Sequence, residues 1–187
     1  MTYKTFFNCI LIILISLVSC KNFNDQSTTH NTISNSGSIP KFQVIIEGVY
    51  KKNDFIKVYY IDENDSIFSE KSSKRKIILG DDKIQKIIFE FPIGIKPKNL
   101  MLSMSSNNEQ DKIFLKNITL KYGNDSISGD GGDFQNYFFV NECMKFNDLT
   151  YYYDLYNKQN QYNPVLTAND SLKLLMNKLY PPKILKK

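Results

Sequence analysis

The stretch QKIIFEF, Gln85 to Phe91, decides how the chain is read. Ile87, Phe89 and Phe91 stand two residues apart and so share one face of an extended strand, with Lys86 and Glu90 on the other. Pro92 has no amide hydrogen for a ladder and stops the strand there. The same period of two recurs on both sides. Upstream, Phe42 to Glu47 places Phe42, Val44 and Ile46 on one face, and Phe55 to Ile61 does the same with Ile56, Val58 and Tyr60. Polar clusters at Lys51 to Asp54 and at Asp62 to Ser66 read as turns. Ile67 and Phe68 are expected to form a short element, and Lys76 to Leu79 a strand ended by Gly80-Asp81-Asp82. Downstream, Leu100, Leu102 and Met104 alternate, Ile113 to Tyr122 holds one or two strand pieces, and Tyr137 to Val140 is aromatic and β-branched. Gly123 to Asp133 reads as turn and loop. Seven or so short strands with frequent turns predict an all-β fold, a jelly-roll-like β-sandwich. Near the end, Asn169-Asp170-Ser171 precedes apolar Leu172, Leu175 and Leu179, and Pro181-Pro182 follows. That pattern predicts a short C-terminal α-helix lying over an end or edge of the sandwich.

The 187 residues carry 24 Lys and Arg against 19 Asp and Glu, a formal charge of +5. The two signs are interspersed, which argues against a nucleic-acid-binding stripe. The excess of positive charge suits a site near anionic lipid headgroups. The first residues read MTYKTFFNCILIILISLVSC: one charge, Lys4, then an apolar run too short to span a bilayer comfortably. Residues 1–19 are therefore expected to be a signal peptide. Leu17-Val18-Ser19-Cys20 resembles the bacterial lipobox, and the resemblance implies that Cys20 is acylated and holds the protein at a lipid membrane. An ordinary signal peptide, or an uncleaved anchor with Cys20 incidental, is the alternative. Residues 20–40 are poor in large apolar side chains and read as a flexible tether. Residues 41–187 remain for one sandwich domain with its C-terminal helix. The expected location is the bacterial cell envelope, as a membrane-anchored lipoprotein. Lys21-Asn22 lacks the acidic pattern of one retention signal, which points to the outer membrane.

Side-chain chemistry narrows the function. His30, the only histidine, falls in the tether, so the domain has no histidine for a Ser-His-Asp or Cys-His arrangement or for a histidine metal site. No phosphate-binding glycine loop occurs, and neither a cofactor nor a metal is implied. Cys143, between Glu142 and Met144, is expected to be a buried, unpaired thiol, since Cys9 and Cys20 lie in and just after the signal. Glycoside hydrolysis needs only two carboxylates, which Glu47, Glu90 and Glu142 could supply. Asp62-Glu63-Asn64-Asp65 and Asp125, Asp130 and Asp133 are acidic enough for Ca²⁺ but match no calcium-loop spacing, and turn chemistry accounts for them. The densest signal is Tyr151-Tyr152-Tyr153-Asp154-Leu155-Tyr156. On a strand Tyr151 and Tyr153 would face one way and Tyr152 the other, so one face would be core and the other free to stack on sugar or protein. Tyr151, Tyr152, Tyr153 and Tyr156 are the ligand-binding candidates; the alternative is that their rings cap the core.

Between Ile56 and Tyr122 the chain resembles a β-sandwich domain of bacterial cell-envelope proteins. That domain accompanies membrane-embedded sugar transferases or stands alone in lipoproteins, and it is similar to galactose-binding-like jelly rolls. The resemblance rests on the strand ending in Tyr59-Tyr60, the bend Phe68-Ser69-Glu70, the strand closing in Phe89-Glu90-Phe91-Pro92, and Asn117-Ile118-Thr119-Leu120. The chain departs from the family at Met101-Leu102-Ser103-Met104, where an Arg-x-Asp-Pro type segment is common. The resemblance implies a fold and a glycan-related setting and supplies no catalytic residue. The expectation is a non-enzymatic envelope lipoprotein that binds a glycan or a neighbouring envelope protein, and not nucleic acid. The alternatives are a small carboxylate-dependent glycan hydrolase and a purely structural subunit of an envelope assembly.

Overall fold

The computed structural model describes residues 39–180. The expected signal peptide, Cys20, nearly all of the expected tether and Pro181-Pro182 lie outside the described residues. Eleven strands follow in order: β1 (Phe42–Val49), β2 (Asp54–Ile61), β3 (Ser73–Ile78), β4 (Gln85–Glu90), β5 (Asn99–Ser103), β6 (Lys112–Tyr122), β7 (Asp125–Ser128), β8 (Phe138–Val140), β9 (Met144–Asn147), β10 (Tyr152–Leu155) and β11 (Val165–Ala168). One helix, α1 (Asp170–Leu179), closes the described chain, and 3₁₀ turns cover Glu70–Ser72 and Asp130–Tyr137. The first sheet runs β4-β1-β6-β10-β9, with β7 paired onto β6; the second runs β3-β2-β5-β11-β8. Every pairing between these strands is antiparallel. The protein is an all-β sandwich with a short C-terminal helix.

Register explains the core. Phe89, Val44 and Leu120 lie opposite one another across three strands of the first sheet, as do Ile87, Ile46 and Ile118. In the second sheet Val58, Leu102 and Leu166 form the facing row. All nine side chains are buried, so each strand's alternation puts one apolar set between the sheets and the other outside. Rings seal one end: Phe91 packs edge-on against Phe42 at 5.3 Å and Tyr60 at 5.2 Å, and Tyr180 meets Tyr122 at 5.1 Å.

Ile113 to Tyr122 is one continuous strand with a bulge. Glu47 pairs with Asn117 and Gly48 with Leu115, leaving Lys116 as the extra residue. The sequence shows this as a change of phase: Ile113 and Leu115 face inward before the bulge, Ile118, Leu120 and Tyr122 after it. At Gly48 the backbones close in, and an added Cβ would lie 2.4 Å from the Phe114 carbonyl oxygen. Gly48→Ala is therefore expected to destabilise the fold by about 1–3 kcal/mol, read as a lower urea midpoint at unchanged slope.

Four features differ from the pattern-based reading. Gly123 to Asp133 contains β7, a strand with no apolar alternation that is held by pairing to β6. Neither β9 nor β11 is apparent from the sequence, and both are only four residues long. Ile67 and Phe68 form no strand; Ser69 instead caps the 3₁₀ turn that follows. β3 begins earlier than expected, and both Ile77 and Leu79 are exposed at its end. The helix starts at its polar cap, with the Asn169 side chain accepting from the Leu172 amide at 3.0 Å. Leu172, Met176 and Leu179 are its buried residues, and Leu175 is only half-buried. The helix lies against β6, β7, β11 and the Asp130–Tyr137 turn. Among the described residues no helix is long and apolar enough to cross a membrane.

Candidate functional site on the outer face of β10

The β9–β10 hairpin sorts the tyrosines. Asn147 organises its turn: its side-chain oxygen accepts from the amides of Leu149 and Thr150, and its carbonyl accepts from Tyr151 at 2.8 Å. Tyr151 thus sits in the turn and not on the strand, with φ of 59° and its ring 67% exposed. It does not share a face with Tyr153, because the strand and its alternation begin only at Tyr152. Tyr153 points into the core, 3% exposed, with Phe146 at 5.2 Å and Phe134 at 6.5 Å. That burial removes Tyr153 from the ligand-binding candidates and makes it a packing residue.

The outward positions form a row. Tyr152 and Asp154 are half-buried, and Tyr156, next beyond the strand, is exposed while Leu155 is buried. Successive members of such a row stand about 6–7 Å apart, so Tyr152 and Tyr156 bracket Asp154 over about 13 Å. The flanks come from neighbouring strands. The Phe114 ring lies 5.7 Å from that of Tyr152, and the Lys112 ammonium lies 5.8 Å from the same ring. Lys158 is placed 6.0 Å over Tyr156. Asp154 is opposite Lys112 on one side and Lys145 on the other, and its carboxylate accepts from the Asn147 side chain at 2.9 Å. The same asparagine therefore shapes the turn and orients the carboxylate. The surface has two ring faces, an anchored acceptor and three lysines.

Tyr151 carries a backbone cost. A bulky residue in the left-handed region is disfavoured by roughly 1–2 kcal/mol, where glycine is at ease. Tyr151→Gly is expected to leave the fold as stable or about 1 kcal/mol more stable, with thermal melts as the check.

Burial pushes the Tyr153 hydroxyl up to about 12 from its ordinary value of 10.0. The folded state holds this proton more tightly than the unfolded chain does. The stabilisation is fully present below pH about 10 and is lost as pH rises towards about 12. Urea melts across that window should show stability falling with pH, and Tyr153→Phe should flatten the fall. A slope unchanged in the variant would contradict the assignment.

The other candidates are scattered. Gln43 pairs with Glu90 in register and donates to its carboxylate at 2.9 Å, while Glu47 lies four residues further along β1. Those two carboxylates are thus about 13 Å or more apart, beyond the roughly 5–9.5 Å of glycosidase pairs. Glu142 is exposed in the β8–β9 turn. In the acidic loops, Asp62 accepts from the Asn64 amide, Asp65 from Ser72, and Asp130 from Asn117 at 2.6 Å. Among the described residues no group of three or more His, Cys, Asp or Glu side chains is arranged to hold a metal ion. Cys143 is buried, its sulfur 3.7 Å from the Gln161 carbonyl.

The sequence offered no sign of Phe114, Lys112, Lys145 or Asn147 as site residues. They join the row through strand pairing, and a local pattern does not carry register between distant segments. Asp154 was visible inside the tyrosine run, and its flanking by tyrosines at two-residue spacing was the available signal. No protein-family model, curated protein or solved structure gives a significant match to the chain.

Proposed function

We propose that the protein is an envelope lipoprotein, anchored through acylated Cys20, whose sandwich binds a glycan without catalysing a reaction on it. The observation that carries this reading is the row Tyr152–Asp154–Tyr156 on the outer face of β10. Two part-exposed rings spaced along a strand offer flat apolar faces to successive sugar rings, and Asp154 between them accepts from sugar hydroxyls. Lys112, Lys145 and Lys158 outnumber the single carboxylate, so the ligand class is a glycan bearing acidic groups.

An array of neutral and acidic envelope glycans tests this. Wild type should retain acidic glycans, with binding weakened by salt, and Tyr152→Ala and Tyr156→Ala should each lose most of the signal. Retention that is indifferent to both substitutions would remove the row from the account. The anchor is tested separately by feeding a fatty-acid analogue: wild type should take label and Cys20→Ala should not.

A second surface favours protein contact. On the outer face of the second sheet Ile77 and Phe139 are both largely exposed, with Phe55, Tyr59 and Met101 half-buried between them. This is the face a neighbouring envelope protein would use.

A further inference from the structure

We infer that the end of the sandwich where β1 begins and α1 ends is seated on the membrane, with its lysines on anionic phospholipid headgroups; this rests on the reading of Cys20 as the lipid anchor. An open cleft of about 730 Å³ lies at that end, between the segment leading into β1, the β6–β7 turn and the last turn of the helix. Lys41, Lys121 and Lys178 line it. Lys96 adds a fourth ammonium, 5.9 Å from the rings of both Tyr122 and Tyr180. None of the four makes an ion pair among the described residues. Glu90 lies one strand across from Gln43, and Asp62, Glu63 and Asp65 stand in the β2–β3 loop at the same end, beyond Tyr60, whose ring meets Phe91. The cleft wall itself carries three lysines against one aspartate, Asp125, and so favours an anionic partner.

Three further features select a lipid surface as that partner. Ile39 and Ile93 are both more than half exposed here, Ile39 in the cleft wall and Ile93 in the β4–β5 turn. Lysine, tyrosine and exposed isoleucine together are the composition of a membrane interface. The described chain begins at Ile39, nineteen residues after Cys20, which at full extension reach at most about 65 Å. That reach leaves this end free to meet the bilayer. Finally, β6 runs from Tyr122 at the cleft to Lys112 beside Asp154, about 30 Å away over its eleven residues. Seating the cleft end on the membrane presents the tyrosine row outward, where a glycan is free to reach it.

The test uses the full chain, purified with its anchor and reconstituted into phosphatidylcholine vesicles with or without one third phosphatidylglycerol. An environment-sensitive dye is placed at Asn124→Cys, in the β6–β7 turn, or at Lys83→Cys, at the opposite end, both in a Cys143→Ala background. The Asn124 dye should report burial on phosphatidylglycerol vesicles and not on phosphatidylcholine alone. The response should vanish in about 1 M NaCl, where the screening length falls to about 3 Å. Lys41→Gln, Lys96→Gln, Lys121→Gln and Lys178→Gln should each weaken it about fivefold. The Lys83 dye should stay silent. Equal responses at both positions, or none at Asn124, would overturn the inference. So would a response to inorganic phosphate without vesicles that competes with the vesicle response, which would assign the cleft to a small anion. Flotation with pure phosphatidylcholine reports the anchor alone: wild type and the lysine variants should all float. Loss of flotation with the Asn124 response intact would fail the anchor and leave the surface standing.

Discussion

Asp54→Ala is expected to destabilise the domain by about 3–5 kcal/mol. Asp54 opens β2 and is buried, yet its carboxylate is fully engaged. It accepts from the amides of Phe55 at 2.7 Å, Ser106 at 2.8 Å and Asn107 at 3.1 Å, and from the hydroxyls of Ser105 at 2.5 Å and Ser106 at 2.9 Å. The loop after β5 is therefore folded around one side chain. Removing it strands several donors at once, each costing about 1–3 kcal/mol where water cannot reach. The consequence spreads, because the Tyr162 hydroxyl lies 2.9 Å from Ser105 and donates to the Gln110 carbonyl at 2.7 Å. Gln110, itself buried, accepts from the Lys52 amide at 2.8 Å and so ties the same loop to the β1–β2 turn. Tyr50 makes the control. Its hydroxyl is buried beside Asp54 and Tyr162 with no hydrogen-bond partner among the described residues, and burial followed by those two neighbours raises its pKa well above the ordinary phenol value. Tyr50→Phe removes an unsatisfied group and should be neutral or stabilising. Urea melts of both variants decide the matter, and equal losses would mean that volume and not hydrogen bonding governs this end of the core.

The second large effect separates adjacent tyrosines. Tyr153→Ala should cost about 3–5 kcal/mol, since it empties a ring-sized space between Phe134 and Phe146 opposite Ile113. Tyr152→Ala removes a ring half in solvent and should cost about 1 kcal/mol or less. The functional readout should run the other way, with glycan retention lost in Tyr152→Ala at nearly native stability. Thermal melts and array binding on the same preparations provide both numbers. Two variants equally destabilised would place both rings in the core.

The contrast between these two residues shows what the sequence could carry. Alternation over β1, β2 and β4 was legible because each strand is long enough to show its period and one face is wholly apolar. The phase change between Leu115 and Ile118 was visible in the sequence as well, but a bulge is indistinguishable from two separate strands until a partner such as Gly48 is placed opposite it. β7 was hidden because Asp125 to Ser128 owes its extended form to pairing with β6 and not to its own side chains. The tyrosine run was legible as a concentration of rings. The opposition of Tyr152 and Tyr153 was legible too, but the place of Tyr151 was not, because it lies in a turn set by hydrogen bonds to Asn147 and so drops out of the alternation. The lysines around the cleft illustrate the same limit: Lys41, Lys96, Lys121 and Lys178 are far apart in the chain, and only the return of the helix and of β6 to the beginning of β1 gathers them.

The proposed glycan site is the outer face of β10, and amide chemical-shift mapping tests it most directly. The acidic glycan best retained on the array is titrated into isotope-labelled protein. The largest shifts should fall on Tyr152, Asp154 and Tyr156, on Asn147 and Lys145 in β9, and on Lys112 and Phe114 in β6, with the second sheet unmoved. Shifts centred instead on Phe55, Tyr59 and Met101, or none at saturating glycan, would contradict the account.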